Sequence, residues 1–228
     1  METTTRLKKP EAMLFDMDGT LFQTETLLLP AYHKMFDRLR TEGIYTGETP
    51  PESLVLSTLG MILDDIWKTV LPDLDAEGRN RANEIMLELE VEGLQSGNTK
   101  LYPQVKETLQ ALKSQGVKLF VASNGVEHYV KGVAHAHDIY SLFDGVYSAG
   151  EYKTRTKVDL VHRLLTDHNI QSAWMVGDRS SDVEAGKKNG QTVIGCEYAG
   201  FGNHSELQGS DTIIHSFDQL LKLYEEAK

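Results

Sequence analysis

Ala12-Met13-Leu14-Phe15-Asp16-Met17-Asp18-Gly19-Thr20-Leu21 is the stretch on which the reading of this chain turns. Four apolar residues in a row read as a buried strand, and the run stops abruptly at an acid. In extended chain, side chains two residues apart project to the same side, so Asp16 and Asp18 can reach one point. Gly19 lets the backbone turn sharply behind them. Open parallel sheets bind their ligands at the carboxyl ends of strands, which is where these two acids stand. A surface Asp-Gly turn is the competing reading of the same residues.

From residue 101 onward, short apolar runs alternate with amphipathic stretches. Residues 117–122, 173–176, 192–194 and 212–214 read as strands, with 145–147 a weaker candidate. Between them, helices are predicted near 104–115, 126–136, 155–169, 180–189 and 216–227. In the first, Val105, Leu109 and Leu112 recur at three- and four-residue steps and share a face. Gly116, Gly190 and Gly202 stand where helices end or loops turn. Strand–helix alternation implies parallel pairing through right-handed crossovers, hence an α/β fold with a Rossmann-like parallel sheet flanked by helices. Residues 22–98 break this rhythm. No convincing strand occurs there, and 27–40, 52–59, 62–71 and 76–94 read as helices, with Pro30 opening or kinking the first and Pro50-Pro51 starting the second. The expected organisation is therefore a core of residues 1–21 and 99–228 interrupted by an all-helical insert, 22–98.

A second acidic strand end is Met175-Val176-Gly177-Asp178-Arg179-Ser180-Ser181-Asp182. Ser180 or Ser181 can cap the helix that follows, and Asp182 can answer its positive end. A cap explains Asp178 less well, because that residue precedes the helix and follows a strand. Val121-Ala122-Ser123-Asn124-Gly125 ends another strand with a hydroxyl and backbone N–H donors. Lys157 stands at the start of an amphipathic helix. Each of these last two alone is a common turn or a solvated lysine. Together, the four strand ends gather acids, a hydroxyl and a lysine. Clustered carboxylates repel unless a cation sits among them, and hard oxygen ligands suit Mg²⁺. The same ion and a lysine would neutralise an entering phosphoryl group, so the pattern points to phosphoryl transfer to a carboxylate.

In these four motifs, taken in order, the chain resembles the haloacid dehalogenase superfamily of aspartate-nucleophile phosphohydrolases. The matching positions are Asp16-Met17-Asp18-Gly19-Thr20, Ser123, Lys157 and Gly177 to Asp182. The helical insert looks like the cap that follows the first motif in that family, and Leu101-Tyr102-Pro103 resembles its phosphoglycolate phosphatase-like branch. The resemblance implies that Asp16 attacks phosphorus to form an aspartyl-phosphate, and that Asp18 first protonates the leaving oxygen and then deprotonates water. It also implies Mg²⁺ held by Asp16, the main-chain carbonyl of Asp18, and Asp178, with Asp182 supporting these ligands from behind or reaching the ion through a water. Ser123, the Asn124 backbone N–H and Lys157 would hold the phosphoryl oxygens, Lys157 being preferred to nearby Lys153. Asp18 argues against carbon–halogen cleavage, since the dehalogenases lack this second acid. The Lys-Pro pair of many such phosphatases is absent, Val158 following Lys157. A small phosphorylated metabolite is the expected substrate, in the phosphoglycolate, nucleotide or sugar phosphate class. A phosphomutase of the β-phosphoglucomutase type is the alternative, and a non-catalytic phosphate-binding protein a weaker one.

Composition sets the outer limits. The 228 residues carry 23 Lys+Arg against 34 Asp+Glu, a net charge of −11, which disfavours a nonspecific grip on nucleic acid or an anionic membrane. One cysteine, Cys196, allows no internal disulfide and no cysteine-cluster zinc site, and it reads as a packed thiol. Met1 to Pro10 is followed by no apolar leader, and no window approaches the ~20 apolar residues of a membrane span, so a cytoplasmic protein is expected. Trp67 and Trp174 read as core aromatics. The eight histidines form no convincing metal-binding pair. Glu84, Glu88, Glu90 and Glu92 read as the solvated side of a helix.

Overall fold

A computed structural model describes residues 7–61, 63–201 and 204–228. Met1 to Arg6, Ile62, Gly202 and Asn203 lie outside those residues. Six strands form one sheet: β1 (Ala12–Phe15), β2 (Lys118–Ser123), β3 (Gly145–Ser148), β4 (Ala173–Gly177), β5 (Thr192–Cys196) and β6 (Thr212–Ile214). Their spatial order is β3-β2-β1-β4-β5-β6, and every neighbouring pair is parallel. The first strand therefore lies in the middle. The chain winds outward from it to β3 and then crosses back to β4 on its other side. This reversal opens a crevice beyond the carboxyl ends of β1 and β4, the place where doubly wound sheets bind ligands.

The unbroken apolar run of β1 follows from this position. Met13 and Phe15 face one core, with Val105, Leu109 and Leu112 of α5 (Val105–Ser114), Val130 and Val133 of α6 (Glu127–Ala136), and Leu220 of α10 (Gln219–Glu226). Ala12 and Leu14 face the other, with Leu160, Val161 and Leu164 of α8 (Lys157–Asp167) and Ala185 of α9 (Ser180–Lys188). A strand covered on both faces has no solvent side and cannot alternate with polar residues. Thr156 sets the start of α8 by accepting a hydrogen bond from the Asp159 N–H through Oγ1 at 3.1 Å, which trims the expected 155–169 helix. A four-residue helix, α7 (Ala149–Tyr152), was not foreseen.

Between β1 and β2 run α1 (Glu25–Thr41), α2 (Glu52–Leu56), α3 (Leu63–Val70) and α4 (Ala76–Gln95). They surround an apolar cluster of their own, including Tyr32, Met35 and Phe36 of α1 and Ala82, Ile85 and Leu89 of α4. Pro51 caps α2, as expected. Pro30 does not open α1, which begins five residues earlier at Glu25. It sits inside the helix, where its missing N–H removes one i→i−4 bond. The chain leaves and re-enters the sheet side by side. Phe22 bridges antiparallel to Leu101, the Gln23 N–H donates to the Lys100 carbonyl at 2.9 Å, and the Gln23 side-chain amide donates to the Leu101 carbonyl at 2.8 Å. Among the described residues no helix is long and apolar enough to cross a membrane.

Candidate active site

Asp16 and Asp178 leave adjacent parallel strands at the crevice. The Asp16 N–H donates to the Val176 carbonyl at 3.0 Å, so the ladder between β1 and β4 carries on to the acid itself. Asp16, Asp178 and Asp182 are all buried, and each offers a carboxylate oxygen within 4.8 Å of the others. Two glycines make this packing possible. Gly19 has φ +77, and a Cβ there would lie 2.3 Å from Asp178 Oδ2. A Cβ on Gly177 would lie 2.2 Å from Asp182 Cγ.

Lys157 ties the cluster together. Its buried ammonium donates to Asp16 Oδ1 at 2.7 Å and to Asp182 Oδ1 at 2.6 Å. Burial works against its charge, but the carboxylates of Asp16 and Asp182 outweigh burial and hold the lysine well above its ordinary range. Lys153, the other lysine of this segment, is exposed at the end of α7 with φ 53. Burial raises the Asp182 carboxyl to about 6 against the pull of Lys157. Asp178 is also held well above its ordinary range, by burial first and then by the charges of Asp16 and Asp182.

Asp182 spends its second oxygen on the Arg179 backbone N–H at 3.0 Å and so caps α9 from within. Neither Ser180 nor Ser181 occupies the cap position, because Arg179 is the residue preceding the helix. Arg179 is nearly buried, and its guanidinium donates to Glu206 at 2.6 Å and to the Leu56 carbonyl at 3.3 Å, binding core to insert.

One oxygen in the cluster is left over. Asp178 Oδ1 accepts a 3.3 Å bond from the Thr20 hydroxyl, while buried Oδ2 has no hydrogen-bond partner, its nearest cation being Arg179 Nε at 4.0 Å. A buried carboxylate oxygen without a donor, beside two more carboxylates, is the donor set a hard divalent cation satisfies. The residues fit Mg²⁺.

Asp18 faces a different environment. Its Oδ1 accepts from the Tyr129 hydroxyl at 2.5 Å and from the Thr24 hydroxyl at 2.7 Å. Burial and then the charge of Asp16 raise its carboxyl to about 6, against the two hydroxyls and Lys157. Ser123 ends β2 buried, its Oγ accepting from the Gly125 N–H at 3.1 Å. The Asn124 side chain donates to the Gly60 carbonyl of the insert at 2.9 Å. Asp16, Asp18, Ser123, Asn124 and Tyr129 line one cavity of about 130 Å³ roofed by the insert.

Thr24, Tyr129 and Glu90 are among the lining residues that were not anticipated. Thr24 and Tyr129 are polar groups next to recognised motifs, but nothing local says that either reaches Asp18. Glu90 is the correction: it is half-buried and lines the cavity rather than joining a solvated face, whereas Glu84, Glu88 and Glu92 are exposed. The spacing contains the reason. Residues 84, 88 and 92 follow one another at four-residue steps, whereas 90 falls with Asn83, Met86 and Leu87 at steps of seven, four and three. Burial, and after it the charge of Asp18, push the Glu90 carboxyl up to about 8. Trp174 is fully buried and Trp67 nearly so, and the Cys196 thiol is buried and pushed up, chiefly by burial.

Comparison with known proteins bears on the family and the fold. Residues 13–196 match the family model for haloacid dehalogenase-like hydrolases. A phosphoglycolate phosphatase of Aquifex aeolicus is 31% identical over 181 residues, covering 78% of this chain and 80% of its own. A 5'-nucleotidase of Pseudomonas aeruginosa is 26% identical over 199 residues, 86% of each chain. The structure of CbbY from Rhodobacter sphaeroides in complex with phosphate superposes with a TM-score of 0.79 at 23% identity, covering 95% of this chain and 99% of that one, and so shares the fold.

Proposed function

Because the chain belongs to the haloacid dehalogenase-like hydrolases, and as a phosphoric monoester hydrolase acts on phosphorylated small molecules, we propose that it does so through an aspartyl-phosphate on Asp16 with Mg²⁺ as its cofactor. The observation that carries this reading is the Lys157 ammonium on Asp16 Oδ1. It anchors one oxygen of a buried carboxylate, which leaves the other to meet phosphorus.

In the first half-reaction Asp16 bonds to phosphorus as the ester P–O bond breaks, and Asp18 gives its proton to the departing alkoxide. In the second, Asp18 takes a proton from water as that water attacks the phosphoryl group, and Asp16 leaves as a carboxylate with inorganic phosphate released. A carboxyl raised to about 6 can play both parts near neutrality. Ser123, the Asn124 backbone N–H and Lys157 orient the phosphoryl oxygens. Asp16, Asp178 and the Asp18 main-chain carbonyl would hold Mg²⁺, which supplies positive charge against those oxygens when bound. Asp182, both of whose oxygens are already engaged, holds Lys157 and the start of α9 in place.

We assign residues 22–98 the role of a cap that covers the reacting centre and excludes bulk water. Asn124 and Arg179 are its fastenings to the core. Asp16→Asn tests the nucleophile directly: it abolishes phosphate release while leaving the circular dichroism spectrum unchanged. Near-normal hydrolysis by that variant would overturn the assignment. Free phosphate, rather than sugar-phosphate isomerisation, separates this reading from a phosphomutase.

A further inference from the structure

The reacting end of the cavity is polar, and the rest is not. Beyond the strand ends the walls are built by Leu28, Val55, Leu59, Ile66, Met86 and Leu87. The charged side chains that line it, among the described residues, are Asp16, Asp18 and Glu90, all acids. Among the described residues no lysine, arginine or histidine joins them there. The nearby cations lie outside the lining: Lys157 is held on Asp16 and Asp182, and the terminal guanidinium nitrogens of Arg179 on Glu206 and the Leu56 carbonyl, leaving its Nε without a hydrogen-bond partner. Of the other polar groups of this half, Thr58 and Trp67 are engaged within the helices, and the Asn83 amide is a neutral donor that carries no charge. Thr58 Oγ1 donates to the Val55 carbonyl at 2.7 Å, and Trp67 Nε1 donates to Asn83 Oδ1 at 3.1 Å.

Resting on the reaction above, we propose that the alcohol this enzyme releases is small, uncharged and largely apolar, and that esters bearing a second anionic group are poor substrates. A carboxylate or second phosphate in the cap half would lose its water and find no counter-charge, whereas hydrocarbon there gains by leaving water. Glu90, the charged-type side chain of this half, is an acid and so offers an anionic group no counter-charge. An ammonium group fares little better. It carries three donors, and Glu90 is the single ionisable acceptor the cap half offers among the described residues. Size points the same way. The cavity of about 130 Å³ must take the phosphoryl group at its reacting end as well as the alcohol, so the alcohol is small.

The test is a panel of phosphate compounds on the purified full chain with Mg²⁺: phenyl phosphate and n-butyl phosphate against phosphoglycolate, pyrophosphate and phosphoethanolamine. The expected result is kcat/KM at least about tenfold higher for the two neutral esters. Equal or faster turnover of any charged competitor overturns the proposal. Glu90→Lys should raise the ratio of phosphoglycolate to phenyl phosphate turnover by about tenfold or more; an unchanged ratio in the folded variant overturns the cavity assignment. Leu87→Lys takes its place if that variant does not fold. If nothing is hydrolysed, the reaction itself is wrong. Calorimetric binding of the same compounds to Asp16→Asn then still decides the inference, which requires tighter binding of the neutral esters.

Discussion

The Tyr129 hydroxyl donates a 2.5 Å hydrogen bond to Asp18 Oδ1 across the mouth of the crevice, joining the first turn of α6 to the acid two residues beyond Asp16. A donor on a carboxylate favours the ionised form, so this bond pulls the Asp18 carboxyl down against the burial that lifts it to about 6. Tyr129→Phe removes that pull. The descending limb of kcat/KM, where Asp18 loses its proton, is expected to move to higher pH while kcat falls about tenfold from the loosened carboxyl. A limb that stays put, or moves to lower pH, would show that Tyr129 does not govern Asp18.

Lys157 sits between two buried carboxylates, and taking it away leaves both uncompensated. Lys157→Met is expected to cost about 3–5 kcal/mol of stability, measured by denaturant unfolding without metal. Phosphate release should be lost in the same variant. A loss of activity with stability unchanged would mean that the lysine contributes charge to substrate but none to the fold.

The acids of the site make stability depend on pH in a definite direction. Asp18 and Asp182 are raised to about 6, Glu90 to about 8, and Asp178 upward as well, so the folded chain binds more protons than the unfolded one from roughly pH 4 to 8. Stability is therefore lost as pH rises through that window. Without divalent cation, the melting temperature should be higher at pH 5 than at pH 8. Added Mg²⁺ should raise it more at pH 8, because a cation binds the ionised cluster. A melting temperature that climbs from pH 5 to 8 in a chelator would contradict these shifts.

Gly19 is a position where a methyl group has nowhere to go. Its φ of +77 is strained for any side chain, and the added carbon would lie 2.3 Å from Asp178 Oδ2. Gly19→Ala is expected to cost on the order of 1–3 kcal/mol and to suppress turnover well beyond that loss, since Asp178 must move. Wild-type kinetics in that variant would show that Asp178 tolerates displacement.

Much of this was legible along the chain because local chemistry carries it. Apolar runs ending in acids give parallel strands with carboxylates at their carboxyl ends, and β1, β4, Asp16 and Asp178 stand where that pattern requires. The core placement of Trp174 and Cys196 follows from the same apolar runs. Glu90 was misread although its helical spacing separates it from Glu84, Glu88 and Glu92, because periodicity says that two faces exist and not which of them turns inward. Ser180 and Ser181 looked like caps because hydroxyls often are, but the helix begins one residue earlier and Asp182 reaches back to serve it.

What the linear pattern determines, then, is the sheet, the helical insert and the acids at the strand ends, since each depends on neighbours a few residues away. Folding in three dimensions alone decided that Lys157 rather than Lys153 reaches Asp16, that Tyr129 holds Asp18, and that the helices between β1 and β2 present hydrocarbon and one carboxyl to the cavity. Those contacts join residues as many as 141 positions apart. They exist because the helices that carry them bury their apolar faces against the sheet and against one another, and that packing fixes side-chain direction in a way no local spacing encodes.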